Sequence, residues 1–145
     1  MREKTKSIHT ILQVFGISVF LFLFLNGCEK EISDRLHGKW QLRTIEEAGH
    51  KTSVDTVWYN FQSESLFMYQ IYHAHVDTFA WIYGYKTQPE THIIHLEMFN
   101  WTTLINDFLP FTDWKEPART FSVEKINRKQ LILKGDEKTY TFDRY

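Results

Sequence analysis

Leu66-Phe67-Met68-Tyr69-Gln70-Ile71-Tyr72 and Phe79-Ala80-Trp81-Ile82-Tyr83-Gly84-Tyr85 are two apolar runs with a short polar break between them. Neither has helical spacing. With a period of two, Phe67, Tyr69 and Ile71 share one face of the first run, and Phe79, Trp81, Tyr83 and Tyr85 share one face of the second. Working outward, similar stretches are expected over residues 38–47, 55–62, 65–73, 77–86, 91–99, 119–126, 129–134 and 138–144. Turn signals separate them, among them Ala48-Gly49, His73-Ala74-His75, Gln88-Pro89-Glu90, Asn127-Arg128 and Gly135-Asp136. Eight short strands joined mostly by hairpins predict an all-β, up-and-down antiparallel barrel or a closely related sandwich. An eight-stranded barrel is just wide enough for side chains to fill. The alternation aims Val57, Tyr59, Phe61, Phe67, Tyr69, Ile71, Phe79, Trp81, Tyr83, Ile94, Leu96, Val123, Leu131, Leu133, Tyr140 and Phe142 inward. Any ligand site should therefore be shallow, at an open rim where Tyr83 and Tyr85 stand.

Residues 100–118 are too long for an idle loop, and lie between the fifth and sixth strands. Trp101, Leu104, Ile105, Phe108 and Leu109 fall on one face of a helix that Asn100 can cap and Pro110 stop. The expectation is a short amphipathic helix covering one end of the barrel.

The N-terminus has a different character. Arg2, Lys4 and Lys6 precede an apolar run over residues 11–25 that ends at Leu25-Asn26-Gly27-Cys28, the last being the chain's only cysteine. This resembles the lipobox of bacterial lipoproteins. The resemblance implies a signal peptide over residues 1–27 and a diacylglyceryl group on Cys28, with residues 28–37 as a lipidated tether and residues 38–145 as the barrel domain. The run is shorter than the 20 or so apolar residues that a spanning helix needs. Two acyl chains suffice for stable anchoring. Glu29, unlike Asp, is not the usual inner-membrane retention signal in well-studied lipoproteins, so the outer membrane of a bacterial envelope is the expected location.

Beyond residue 27 the chain holds 14 basic and 17 acidic residues, a mildly acidic and scattered balance that argues against nucleic acid. With Cys28 committed to lipid, no disulfide is expected.

Gly38-Lys39-Trp40 opens the first strand about ten residues after Cys28, and the strand series closes with residues 126–133 and 138–145. On these residues the chain resembles the lipocalin-like lipoproteins of Gram-negative bacteria, within the wider calycin group. The resemblance implies that Trp40 packs across the closed end of the barrel under a basic side chain from near the last strand, for which Arg144 is the candidate. It also implies a small apolar or amphipathic ligand. Tyr59, Tyr69, Trp81, Tyr83 and Tyr85 are the candidate contacts.

His73, His75 and Asp77 are spaced to share a face on a continuous strand and so to grip a metal, although an exposed hairpin turn is the simpler expectation. No catalytic or cofactor-binding signature is read, so the expected role is binding rather than catalysis. Two functions remain: a lipid-anchored binder of a small apolar ligand, or a filled barrel docking another envelope protein.

Overall fold

The computed structural model describes residues 28–99 and 104–145, with side chains from Ile32 onward. The leader, the Cys28 side chain, Asn100 and Trp101 lie outside the described residues. The chain divides at Glu31, and the unit from Ile32 to Tyr145 contains the barrel.

Helix α1 (Cys28–Leu36) leads into β1 (Gly38–Glu47), β2 (His50–Ser53), β3 (Val57–Phe61), β4 (Leu66–His73), β5 (Thr78–Glu90) and β6 (Ile93–Met98). Helix α2 (Leu104–Phe108) and a 3-10 turn (Leu109–Phe111) follow, then β7 (Ala118–Ile126), β8 (Gln130–Gly135) and β9 (Lys138–Arg144). The strands pair antiparallel in the order β2-β1-β3-β4-β5-β6-β7-β8-β9, and β1 pairs again with β9 to close the sheet. β2 and β3 lie along the same edge of β1 and act as one strand broken at residues 54–56. Val54 N–H donates to the Arg43 carbonyl at 2.8 Å, and the Gln41 amide to that of Asp55 at 2.7 Å, holding the break in place. The architecture is therefore a closed eight-stranded antiparallel barrel, with the short helix in the insertion before its sixth strand.

Thirteen of the sixteen residues aimed inward by alternation are buried, from Val57 through Phe142. Phe79, Trp81 and Tyr83 are not; they are 45%, 56% and 39% exposed. Strand β5 turns the opposite face inward: Ala80, Ile82, Gly84 and Lys86. The reason is register. β4 places Phe67, Tyr69 and Ile71 inside, and their cross-strand partners are Gly84, Ile82 and Ala80. Residues directly opposite share a face, so β5 must present its smaller side chains inward. The hairpin keeps that register by pairing His73 with Thr78 across a four-residue loop, residues 74–77.

The barrel interior is filled by rings. Tyr59 lies 4.8 Å from Tyr69 and 4.9 Å from Phe142, centroid to centroid, and Trp114 packs among Tyr59, Phe67, Tyr69 and Phe121. Trp114 comes from the insertion after α2, and its indole N–H donates to the Tyr59 hydroxyl at 2.8 Å. On α2, Ile105 and Phe108 point into the core whereas Leu104 is 64% exposed, so the expected apolar face is only partly inward. At the other end, Ile32 and Leu36 of α1 belong to the core cluster. The segment expected to be a tether is thus built into the domain from Ile32 onward.

Candidate functional site

The closed end is organised by Trp40. Its ring is fully buried, its indole N–H donates to the Leu36 carbonyl at 2.8 Å, and the Arg144 guanidinium stands 4.8 Å from its centroid. Arg144 also donates to the carbonyls of Arg35 (3.2 Å) and His37 (2.6 Å), tying β9 to the end of α1. Gly38 makes this possible. Its φ of +121° suits glycine, and a Cβ there would stand 2.7 Å from Arg144 Nη2.

At the opposite end the barrel wall is split. β6 joins β5 only from the pairing of Gly84 with Met98, with one further bond from Phe99 N–H to the Tyr83 carbonyl at 2.9 Å. Residues 78–82 of β5 therefore have a strand neighbour on the β4 side alone. Helix α2 and the 3-10 turn lie against that gap, leaving a cleft of about 360 Å³. Ala80, Ile82 and Phe108 contribute its more buried lining; Phe79, Trp81, Leu104 and Phe111 add exposed apolar surface; His73 and Asp107 are its polar members. The His73 ring meets Phe111 edge-on at 4.8 Å. Such a cleft can hold an acyl chain or a small ring system along its apolar lining, with two polar groups to meet a head.

The five ligand candidates named from sequence are not brought together. Tyr59 and Tyr69 fill the barrel centre, and burial pushes both hydroxyls well above the usual tyrosine pKa. Tyr83 and Tyr85 stand on the outer face of β5, where Tyr85 packs on Phe99 at 4.5 Å. Only Trp81 lines the cleft. The cleft residues missed from sequence are those of the insertion, Leu104, Asp107, Phe108 and Phe111, together with Ala80 and Ile82 on the face assigned outward. The helical spacing of the insertion did signal that it packs on the barrel, but not against which strand.

His73, His75 and Asp77 do not form a metal site. The strand ends at His73, His75 is exposed in the turn, and Asp77 accepts a hydrogen bond from the Tyr72 hydroxyl at 2.7 Å. Among the described residues no group of three such side chains could hold a metal ion.

A second, polar cavity of about 510 Å³ at the same end is bordered by Asp113, Arg119 and Asp136. Arg119 is buried against Asp113 (2.9 Å), Asp136 (2.9 Å) and the Tyr140 hydroxyl (2.5 Å), and its guanidinium covers the Trp114 ring at 5.1 Å. Burial opposes its charge, but the Asp113 hydrogen bond and charge outweigh that and hold it protonated. No sequence motif announced this cluster.

Solved structures similar to this chain include two from Bacteroides. A lipocalin-like protein from Bacteroides uniformis has 24% identity and a TM-score of 0.65, matching over 77% of this chain and 99% of its own. An uncharacterized protein from Bacteroides eggerthii has 23% identity and a TM-score of 0.62, matching over 76% and 99%. At those identities the likeness bears on the fold. No curated protein matches the chain. The model of the lipocalin-like domain matches residues 21–145. With that match spanning most of the chain and a closed eight-stranded barrel beneath it, the chain belongs to the lipocalin-like domain family.

Proposed function

We propose that this is a lipid-anchored protein of the bacterial outer membrane whose barrel holds a small apolar or amphipathic molecule in the cleft between β5 and α2. The observation that carries the reading is the cleft itself: about 360 Å³, within the range of roughly 300–1,000 Å³ usual for small-molecule sites. Trp81, Leu104 and Phe111 lie against it, yet remain 56%, 64% and 61% exposed. The filled barrel centre leaves the wall as the place to bind. Family membership supports an apolar ligand, because lipocalin-like barrels usually bind small hydrophobic molecules. The role is one of binding rather than catalysis, without a cofactor. The anchor rests on the lipobox resemblance at Leu25 to Cys28.

Fatty acids and apolar fluorescent probes should bind in the micromolar range, about −8 kcal/mol or less favourable, and quench or shift Trp81 emission. Leu104→Asp, a change at an exposed position, should abolish that binding while leaving the fold intact. Binding unaltered by Leu104→Asp would place the ligand elsewhere. Separately, Cys28→Ala should abolish labelling by palmitate and release the protein from membranes; persistent labelling would remove the anchor.

The same exposed residues also favour docking of another envelope protein on α2 and the outer face of β5, where Phe79, Trp81, Tyr83 and Tyr85 stand in a row. Leu104→Asp with unchanged probe binding but a lost crosslink to a partner would select this second reading.

A further inference from the structure

The outer face of β5 carries Phe79, Trp81, Tyr83 and Tyr85, between 39% and 58% exposed, in a row about 20 Å long. Across β4 they stand opposite Tyr72, Gln70, Met68 and Leu66, so the surface continues onto the neighbouring strand without a charged side chain. Charge begins at its borders: Glu97 of β6 is paired with Tyr85, and the Lys39 ammonium lies over the Trp58 ring at 5.2 Å. A contiguous apolar surface of this kind marks a contact. It is small for a second copy of the chain. Four half-exposed rings offer roughly 300–500 Å², against about 800 Å² per partner in a stable interface. A surface held near a bilayer by a separate anchor needs no such area, because the anchor supplies most of the affinity. The chain leading to that anchor starts beside the row: Lys86, next to Tyr85 on β5, donates from Nζ to the Ser33 hydroxyl of α1 at 3.3 Å. Cys28 precedes Ser33 by five residues, a reach of at most about 18 Å.

We propose that the outer face of β5 rests on the bilayer that carries the anchor, with the rings of Trp81, Tyr83 and Tyr85 at the level of the headgroups. Trp and Tyr are enriched at that depth, where an amphipathic ring meets acyl chain on one side and water on the other. A face without charge gains nothing from anionic lipid, so a neutral phospholipid surface suffices. The pose depends on the lipid proposed for Cys28, which ties the barrel to the membrane at one point; the row fixes which side lies down. Phe79 and Trp81 also line the apolar cleft. In this pose the cleft opens beside lipid, and an apolar ligand enters it without crossing water.

The test reconstitutes the protein purified from membranes, carrying Trp101→Phe, into phosphatidylcholine vesicles with and without brominated acyl chains. Trp40, Trp58 and Trp114 are buried, so quenching by bromine reads Trp81. Bromine near the headgroups should lower the emission by at least about a quarter, and more than bromine at the chain ends, as befits an interfacial ring. High salt should leave the effect unchanged. Tyr83→Glu combined with Tyr85→Glu, both at exposed positions, should abolish the quenching with the near-ultraviolet circular dichroism unchanged, whereas Leu104→Asp should preserve it. An absence of quenching before any change to the row would overturn the contact. Quenching lost in Leu104→Asp but kept in the glutamate variant would place the lipid in the cleft and overturn it as well. A crosslink to another envelope protein that the glutamate variant loses, without quenching by lipid, would give the face to a protein instead. Palmitate labelling of Cys28 is read independently: labelling without quenching keeps the anchor and removes this contact, and quenching without labelling removes the anchor and leaves the contact standing.

Discussion

Trp40 shows how much one side chain can carry at the residue scale. It is fully buried, bonded to the Leu36 carbonyl and covered by Arg144. Replacing it with Ala removes a large apolar surface, leaves a cavity and orphans a buried carbonyl, costing about 3–5 kcal/mol. Total stability of a domain this size is about 5–15 kcal/mol, and with one cysteine in the chain no intramolecular disulfide offsets the loss. Trp40→Ala should therefore shift a urea transition to far lower concentration or abolish it. A shift worth less than about 1 kcal/mol would mean that the ring does not plug the end. Gly38 and Trp40 were legible as a pair because both lie in one tripeptide. Trp114 was not legible, since nothing near it in sequence says that its ring reaches Tyr59, 55 residues away.

At the scale of the element, β5 is the informative case. Its sequence offers two candidate inner faces, one of Phe79, Trp81, Tyr83 and Tyr85 and one of Ala80, Ile82, Gly84 and Lys86. Hydrophobicity alone selects the aromatic face. The barrel selects the other, because Phe67 and Tyr69 opposite already occupy the centre together with Trp114. A slip of one residue exchanges every side chain between core and solvent. Gly84 records the outcome: a Cβ there would run into the Phe67 ring and the Glu97 carbonyl oxygen. Gly84→Ala should cost about 1–3 kcal/mol by overpacking. Tyr85→Ala, on a residue 58% exposed, should cost less. Denaturant titrations of the two variants measure the order directly, and the reverse order would restore the aromatic face to the interior. The outward aromatic row is also what gives the cleft its Phe79 and Trp81 walls, so the register of β5 creates the candidate site.

For the whole molecule, the filled interior sets the response to pH. Tyr59, Tyr69 and Tyr140 are buried together, and burial first, with Asp113 adding to it, pushes each hydroxyl above its ordinary pKa near 10. Above pH 10 the unfolded chain loses these protons while the folded chain keeps them. Their contribution is therefore fully present below pH 10 and is lost as pH rises beyond it, at about 1.4 kcal/mol per pH unit for each tyrosine whose proton is fully retained. Lys86 acts in the opposite sense. Burial lowers its pKa, so stability rises with pH between its folded value and its ordinary one of about 10.4. One group against three leaves a net loss, and the urea midpoint should fall steeply between pH 10 and 11.5. A flat midpoint over that range would mean that the tyrosines ionise in place.

The amino-acid sequence by itself determined the number of barrel strands, most of their limits, the turns between them and the insertion before the sixth strand. These follow from period-two alternation and from turn residues, both readable within a few neighbouring positions. Tertiary structure alone decided which face of β5 points inward, that Ile32 and Leu36 belong to the core, and that Trp114 and Arg119 meet Tyr59 and Tyr140 inside it. It also decided where the apolar cleft opens. The physical reason is space: alternation gives each strand two faces, but only the volume left by the other strands determines which face fits.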